Sequence, residues 1–238
     1  MHPDLAAALT EGGFIHLPAA ATAALLPAPA LAAWPDFAAS WDGMALDRHM
    51  ADGGRYRRRR HAVLAARAGQ PGLVREADAP HYQARDHNPL NGGVQRWFEP
   101  VPPAVTAGPA FAGIANWARQ AFDEAGGAQD WHVEAHQFRI EAAPGSEGRP
   151  TPEGMHRDGV DWVLVLLVRR ENVDEGVTEI ATPDGGRLGA FTLTDPLDAV
   201  LLDDHRILHG VTPVVPHDAT RPAWRDVLVL TFRRRSAT

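Results

Sequence analysis

Cysteine is absent from all 238 residues. Disulfide frameworks and thiolate-ligated metals are therefore excluded, and any metal must sit on histidines and carboxylates. No apolar run approaches the roughly 18 residues that a membrane span requires. The opening MHPDLAAALTEGG is acidic and broken by glycine, unlike a secretory signal. Positive charge is in deficit: 23 Lys and Arg face 30 Asp and Glu, a net charge of −7. That balance argues against nucleic acid as a main partner. Neither an internal repeat nor a low-complexity linker divides the chain. With 45% apolar and 22% charged residues, the expectation is one soluble, cytoplasmic domain, an enzyme or a binding protein, with no membrane partner.

The two halves differ in texture. Residues 3–11 read as a short helix closed by Gly12-Gly13, and FIHL as a first strand. Residues 17–35 are rich in Ala and Pro and give no clear boundaries, while 36–50 has room for one helix. RYRRRRHAVL (55–64) reads as a strand with solvated arginines on one face. NPLNGG signals a turn and VQRWF after it a strand. The clearest helix is 109–124, where Phe111, Ile114, Trp117 and Phe122 keep close to a 3.6 period. After Gly127, seven short strand-like runs alternate with turns, among them DGG at 184–186 and TDPLD at 194–198. Such spacing points to a β-sandwich or jelly roll. The segment 1–130 is then a helical and mixed elaboration packed on a β core at 131–238.

Chemistry concentrates in MHRDGVDWVLVLLV (155–168). His156 and Asp158 point the same way if the backbone is extended, at the mouth of a run that carries no charge from Trp162 to Val168. His209, in RILHGVTP, lies several strands later, and a jelly roll makes sequence-distant strands neighbours. Two His and one carboxylate with open coordination positions suit non-haem Fe(II) and oxygen chemistry. With twelve His in the chain, the pattern alone is weak. Arg225 strengthens it. It shares a strand face with Val227, Val229 and Thr231, where a buried guanidinium is costly unless paired. A dicarboxylate ligand would satisfy it; the competing partners are Asp203, Asp204 and Asp226.

With these residues in place, the chain resembles the 2-oxoglutarate and Fe(II)-dependent dioxygenases, which share H-x-D…H…R on a double-stranded β-helix. More narrowly it is similar to small bacterial amino-acid hydroxylases of the isoleucine 4-hydroxylase type, a family that includes homologues of a biofilm, stress and motility protein. The likeness rests on HQFRIEA (136–142), MHRDGVDWVLVLLVRREN (155–172), FTLTDPLDAVLLDDHRILHGVTPV (191–214) and WRDVLVLTF (224–232), and more faintly on NPLNGGVQRWF (88–98). EGVTEI (175–180) departs from it, since the family usually has two adjacent glycines there. The resemblance implies a mainly β, cupin-like jelly roll with flanking helices. It implies Fe(II) on His156, Asp158 and His209, and 2-oxoglutarate held by Arg225 with help from Thr212. It implies oxidative decarboxylation to succinate and CO2 coupled to hydroxylation of an unactivated C–H bond. An acidic residue at 158 points to hydroxylation rather than halogenation.

For the substrate, taken to be an amino acid or a close derivative, Gln137 and Arg139 share a face and are candidates, as is Trp162. The competing readings are a rim arginine and a core tryptophan. His136 is the rival metal ligand, His205 is structural or exposed, and PGSEGRPTPEG (144–154) is placed as a lid. Two other classes stay open: a cupin-like metal binder or isomerase without 2-oxoglutarate, and a non-catalytic protein with a relic site. A homodimer is expected from the size of the N-terminal elaboration.

Overall fold

A computed structural model describes residues 4–88 and 90–235. Helix α1 (Leu5–Gly12) starts on Asp4, whose side chain accepts the Ala7 N–H at 2.9 Å, and satisfies a donor the first turn leaves free. β1 (Phe14–Leu17) follows. Three short helices, α2 (Ala19–Leu25), α3 (Ala28–Ala32) and α4 (Trp34–Ala39), each begin beside a proline, which costs no hydrogen bond there. β2 (Arg57–Ala66), β3 (Val74–Arg75), β4 (Glu99–Pro100) and α5 (Pro103–Thr106) lead to α6 (Pro109–Gly126). Then come β5 (Trp131–Ala142), β6 (Trp162–Glu171), β7 (Val173–Glu175), β8 (Val177–Ala181) and β9 (Arg187–Thr192). β10 (Ala199–Asp203), β11 (Leu208–Val211), β12 (Val214–Pro216) and β13 (Ala223–Arg234) complete the chain.

The main sheet runs β1-β10-β6-β13-β5-β2-β3, with β4 paired to β2. Apart from the parallel β2–β4 pair, its ladders are antiparallel. A smaller sheet, β11-β8-β9, and the pair β12-β7 form the second layer. The fold is a jelly roll. Its main sheet draws β1 to β4 from the first 130 residues and its centre from the rest.

Period two sorts the side chains. Along β13, Leu228, Leu230 and Phe232 enter the large core under the helices, while Arg225, Val227, Val229 and Thr231 face the second layer and line a cavity. α6 covers the helix side with Phe111, Ile114, Trp117 and Phe122. Its alanines allow close approach, and Gly113 is required: a Cβ there would meet the Ala30 Cβ of α3 at 2.6 Å. On the other face Ile180 of β8 packs with Val163, Val200 and Leu202 of the main sheet. That contact closes the roll at one end and leaves the cavity between the layers.

Three local expectations change. In the 36–50 segment helix stops at Ala39, because turns follow and Gly43 takes φ +74. VQRWF is no regular strand; Arg96 instead makes an isolated bridge to His81. Three of the four arginines of β2 are buried rather than solvated: Arg57 and Arg59 face the enclosed cavity, and Arg60 is covered on the other face, where it meets Glu99 at 3.1 Å.

Candidate active site

His156 and His209 meet through an isolated antiparallel bridge, each backbone N–H donating to the other's carbonyl at 3.0 and 2.9 Å. Their ring centroids lie 4.5 Å apart. The Asp158 carboxylate sits 3.7 Å from His156 Nε2 and 3.6 Å from His209 Nε2. The His156 Nδ1 lies 2.9 Å from the Gly154 carbonyl. A carbonyl only accepts, so Nδ1 carries a proton there, and Nε2, which faces the carboxylates of Asp158 and Glu153, is the nitrogen left to a metal once it gives up its own. The Nδ1–H bond to a backbone carbonyl is the orientation a metal-binding imidazole needs.

Asp204 builds the turn that carries Asp158. Its carboxylate accepts the N–H groups of Asp158, Gly159 and Val160 at 2.9, 2.7 and 3.1 Å. Gly159 takes φ +80 there, a conformation open to glycine at little cost. From the 81–98 segment, Gln83 donates to the Asp158 carbonyl at 3.2 Å, and Asn88 holds Gln83 at 3.1 Å. Burial opposes ionisation of Asp158, but His156 and His209 outweigh it and hold the carboxyl well below its usual range. Burial lowers His156 too, yet Asp158 dominates and brings it up to about 9. His209 falls to about 4 through burial and the neighbouring His156. Asp204 rises to about 6 through burial and the charge of Asp158.

Arg225 lies on the cavity wall, 2% exposed. Its Nε and Nη2 have no partner, and no carboxylate lies within ion-pair distance among the described residues. Asp226 points to the other face, bound to Arg139 at 2.7 Å and to Arg169 at 3.1 Å. Asp204 is taken by the turn. Burial and nearby Arg170 lower the Arg225 guanidinium to about 10, still charged at neutral pH. Gly176 approaches it: a Cβ there would lie 3.9 Å from Arg225 Cδ. The EGVTEI segment thus reaches Arg225 at its Gly176 end, while its Ile180 pairs with His209 across β8 and β11.

The cavity encloses about 330 Å³ and brings together His156, Asp158, His209 and Arg225. Gln137, Arg139, Trp162 and Thr212 do not line it. Gln137 donates to Ser40 at 2.8 Å on the helix side, and Arg139 shares that face. Trp162 stacks on Phe122, centroids 5.4 Å apart. The Thr212 hydroxyl accepts the Val177 N–H at 2.9 Å. Period two explains the first two: His136 and Phe138 face the cavity, so their neighbours cannot. The 144–154 loop walls the cavity through Pro150, Thr151 and Glu153, and the Thr151 hydroxyl donates to the Val211 carbonyl and accepts its N–H at 3.1 and 2.9 Å. His205 is exposed and lies 3.2 Å from Asp161.

A second cluster escaped the sequence reading. Glu134 is ringed by His81, His61 and His136, with nitrogens 2.5, 3.3 and 3.5 Å from its Oε2. Burial works against its ionisation, but the imidazoles hold it far below the usual range. Its four residues lie close enough to hold a metal. However, Arg59 Nη2 stands 3.1 Å from His136 Nδ1, and a guanidinium only donates. The His136 proton is therefore on Nε2, which removes the lone pair facing Glu134. The cluster is then a hydrogen-bonded cage, and the two-His, one-Asp set is the candidate for iron. H-x-E-x-H at 132–136, three side chains on one strand face, is the signal that marks it.

The family model for 2OG-Fe dioxygenases matches residues 38–231. The chain belongs to the 2OG-Fe dioxygenase family. A bsmA homolog from Methylobium petroleophilum, of known crystal structure, is similar at 38% identity over 97% of this chain and 92% of its own, with a TM-score of 0.85. IDO from Bacillus thuringiensis shares the fold at 17% identity, TM-score 0.80, over 98% and 99% of the two chains. The 3(1)-hydroxy-L-isoleucine 4-dioxygenase of Pantoea ananatis is 24% identical over 65% of this chain, and the match spans 64% of that relative's length. The family's cofactors are Fe(II), 2-oxoglutarate and O2. This chain's residues fit them: two imidazoles with one carboxylate for the metal, and the unpartnered guanidinium of Arg225 for a carboxylate. No helix among the described residues is long and apolar enough to cross a membrane.

Proposed function

We propose that this 2OG-Fe dioxygenase hydroxylates an unactivated C–H bond of a free amino acid or small amino-acid derivative in the cytoplasm. One O2 supplies the hydroxyl oxygen and one oxygen of succinate, as 2-oxoglutarate loses CO2. Arg225 carries the reading: a buried guanidinium without a protein partner, in the same cavity as a two-His, one-Asp cluster, calls for an anionic cosubstrate. A cupin-type metal protein that uses no 2-oxoglutarate leaves that charge unexplained. The amino-acid substrate is supported by the Pantoea ananatis relative and by a cavity of small-molecule size.

In this reading His156, His209 and Asp158 would hold the iron. Bound there, iron and 2-oxoglutarate supply the oxidising power that side chains lack. Gly154 fixes the His156 ring through Nδ1, and Asp204 fixes the turn that aims Asp158. Arg225 would orient 2-oxoglutarate by pairing with one of its carboxylates. Val227, Val229 and the 144–154 wall keep bulk water from the reacting carbon.

The test is anaerobic titration of the Fe(II)-loaded protein with 2-oxoglutarate, followed by the visible charge-transfer band of the keto-acid chelate. The band forms in the wild type and needs much more 2-oxoglutarate in Arg225→Ala, with iron affinity retained. Succinate release is then screened across free amino acids. Iron binding without the band would refute the oxygenase reading.

A further inference from the structure

Six arginines are buried. Arg57, Arg60 and Arg119 have carboxylate partners, Asp47, Glu99 and Asp123, at 2.7, 3.1 and 3.2 Å. Arg59, Arg96 and Arg225 have none among the described residues, and all three line the one cavity. Arg225 is accounted for by 2-oxoglutarate. Arg59 and Arg96 remain.

These two stand together. Their guanidinium carbons lie 4.0 and 5.9 Å from the centroid of the Phe98 ring. Arg59 also lies 4.6 Å from the centroid of Phe138, and its Nη2 is tied to His136 Nδ1. Arg59 Nε and Arg96 Nε and Nη2 have no acceptor. The two residues are 5% and 2% exposed. Two like charges, desolvated and held in place, with free N–H groups over an open cavity, form an unfilled anion site. The pair is rooted apart from Arg225. Arg59 pairs with Phe138 of β5, and Phe138 with Val227 of β13. That places Arg59 two strands and one pleat repeat from Arg225, about 12 Å between backbones.

We propose that Arg59 and Arg96 form a second anion subsite that takes the free carboxylate of the primary substrate. The inference rests on the amino-acid hydroxylase reading and narrows it. The substrate is a small free acid, and its carboxylate is a recognition group that survives the reaction. Amides, esters and residues inside a peptide chain are rejected, because a neutral carbonyl leaves two buried charges unmet. Oxidation falls on a carbon beyond that carboxylate. The 81–98 segment thereby supplies both a support for the metal turn, through Gln83, and a substrate contact, through Arg96.

The experiment uses anaerobic protein loaded with Fe(II) and saturating 2-oxoglutarate, so that Arg225 is occupied. The free L-amino acids and their carboxamides are screened by thermal shift, and the strongest acid is carried to calorimetry. The expected result is stabilisation by an acid and none by its amide. Arg96→Met and Arg59→Met each keep the charge-transfer band and lose about tenfold or more in affinity for the acid. Arg96→Lys, which keeps the charge and loses the fork, falls between. The retained band shows that a variant is folded; if one Met variant loses it, the other variants decide. Equal binding of acid and amide, unchanged affinity in Arg96→Met, or an intact band with no acid bound would each overturn the subsite. Absence of the band in the wild type defeats the oxygenase reading instead, and the acid-against-amide comparison on the metal-loaded protein still scores the subsite.

Discussion

Replacing Arg225 by methionine separates what this residue does for stability from what it does for ligand. In the ligand-free protein the guanidinium is 2% exposed, and its Nε and Nη2 lack any partner. An effective desolvation cost of several kcal/mol for a buried unpaired ion is reduced here by the adjoining cavity, leaving about 1–2 kcal/mol. Methionine fills similar volume without that cost, so Arg225→Met should raise the stability of the ligand-free protein by about that amount. For a chain of this size, that is a rise of about 3–6 °C in Tm. With 2-oxoglutarate the sign reverses. A paired, charge-assisted contact of about 3 kcal/mol is lost, and the affinity for 2-oxoglutarate falls about 100-fold. Calorimetric melting without ligand and chelate-band titration with it read the two effects on one preparation. A variant less stable than wild type, with unchanged 2-oxoglutarate affinity, would show that Arg225 has a structural partner and would refute the argument.

Asp204→Asn leaves one oxygen to serve three backbone N–H groups; iron affinity should fall about 10–100-fold while the fold survives, read by metal titration and circular dichroism. Burial, then repulsion from Arg59, brings His81 down to about 4 against the pull of Glu134. Its folded value is below the unfolded 6.5, so the unfolded chain binds the extra proton. His81 therefore costs nothing above pH 6.5, and stability is lost as pH falls from there toward 4, by about 3 kcal/mol in all; urea melts of wild type and His81→Gln across that window should diverge in this direction. Phe122→Ala removes a ring stacked on Trp162 and edge-on to Phe232 and should cost about 3–5 kcal/mol in chemical denaturation, with 2-oxoglutarate binding retained below the transition.

The local signals carried far where one physical rule dominated. The 3.6 period of Phe111, Ile114, Trp117 and Phe122 marked α6, and the alternation in RDVLVLTF placed Arg225 on the face of Val227 and Val229. H-x-D before an uncharged strand marked two of the candidate metal ligands, because extended backbone puts both side chains on one side whatever surrounds it. β5 is the counter-example. WHVEAHQFRIEA carries polar groups on both faces, so alternation says which residues share a side and not which side is the cavity. The sequence reading set Gln137 and Arg139 toward the cavity. Packing turned them to Ser40 and Asp226, and turned His132, Glu134 and His136 inward.

By itself the sequence pointed to a β-sandwich or jelly roll and put His156 with Asp158, and Arg225 with Val227 and Val229, on common faces, since those follow from residue type and short-range periodicity; His209 as the third candidate ligand and the roles came through the family resemblance. Tertiary structure alone decided which arginines are paired. Arg57 and Arg59 are identical in type and two apart on one strand face, yet Asp47 reaches the first and, among the described residues, no carboxylate reaches the second. The 81–98 segment, with little regular structure of its own, brings Gln83 and Arg96 to the cavity only after the roll has formed. Charge compensation depends on distances between residues far apart in the chain, and those distances exist only in the folded protein.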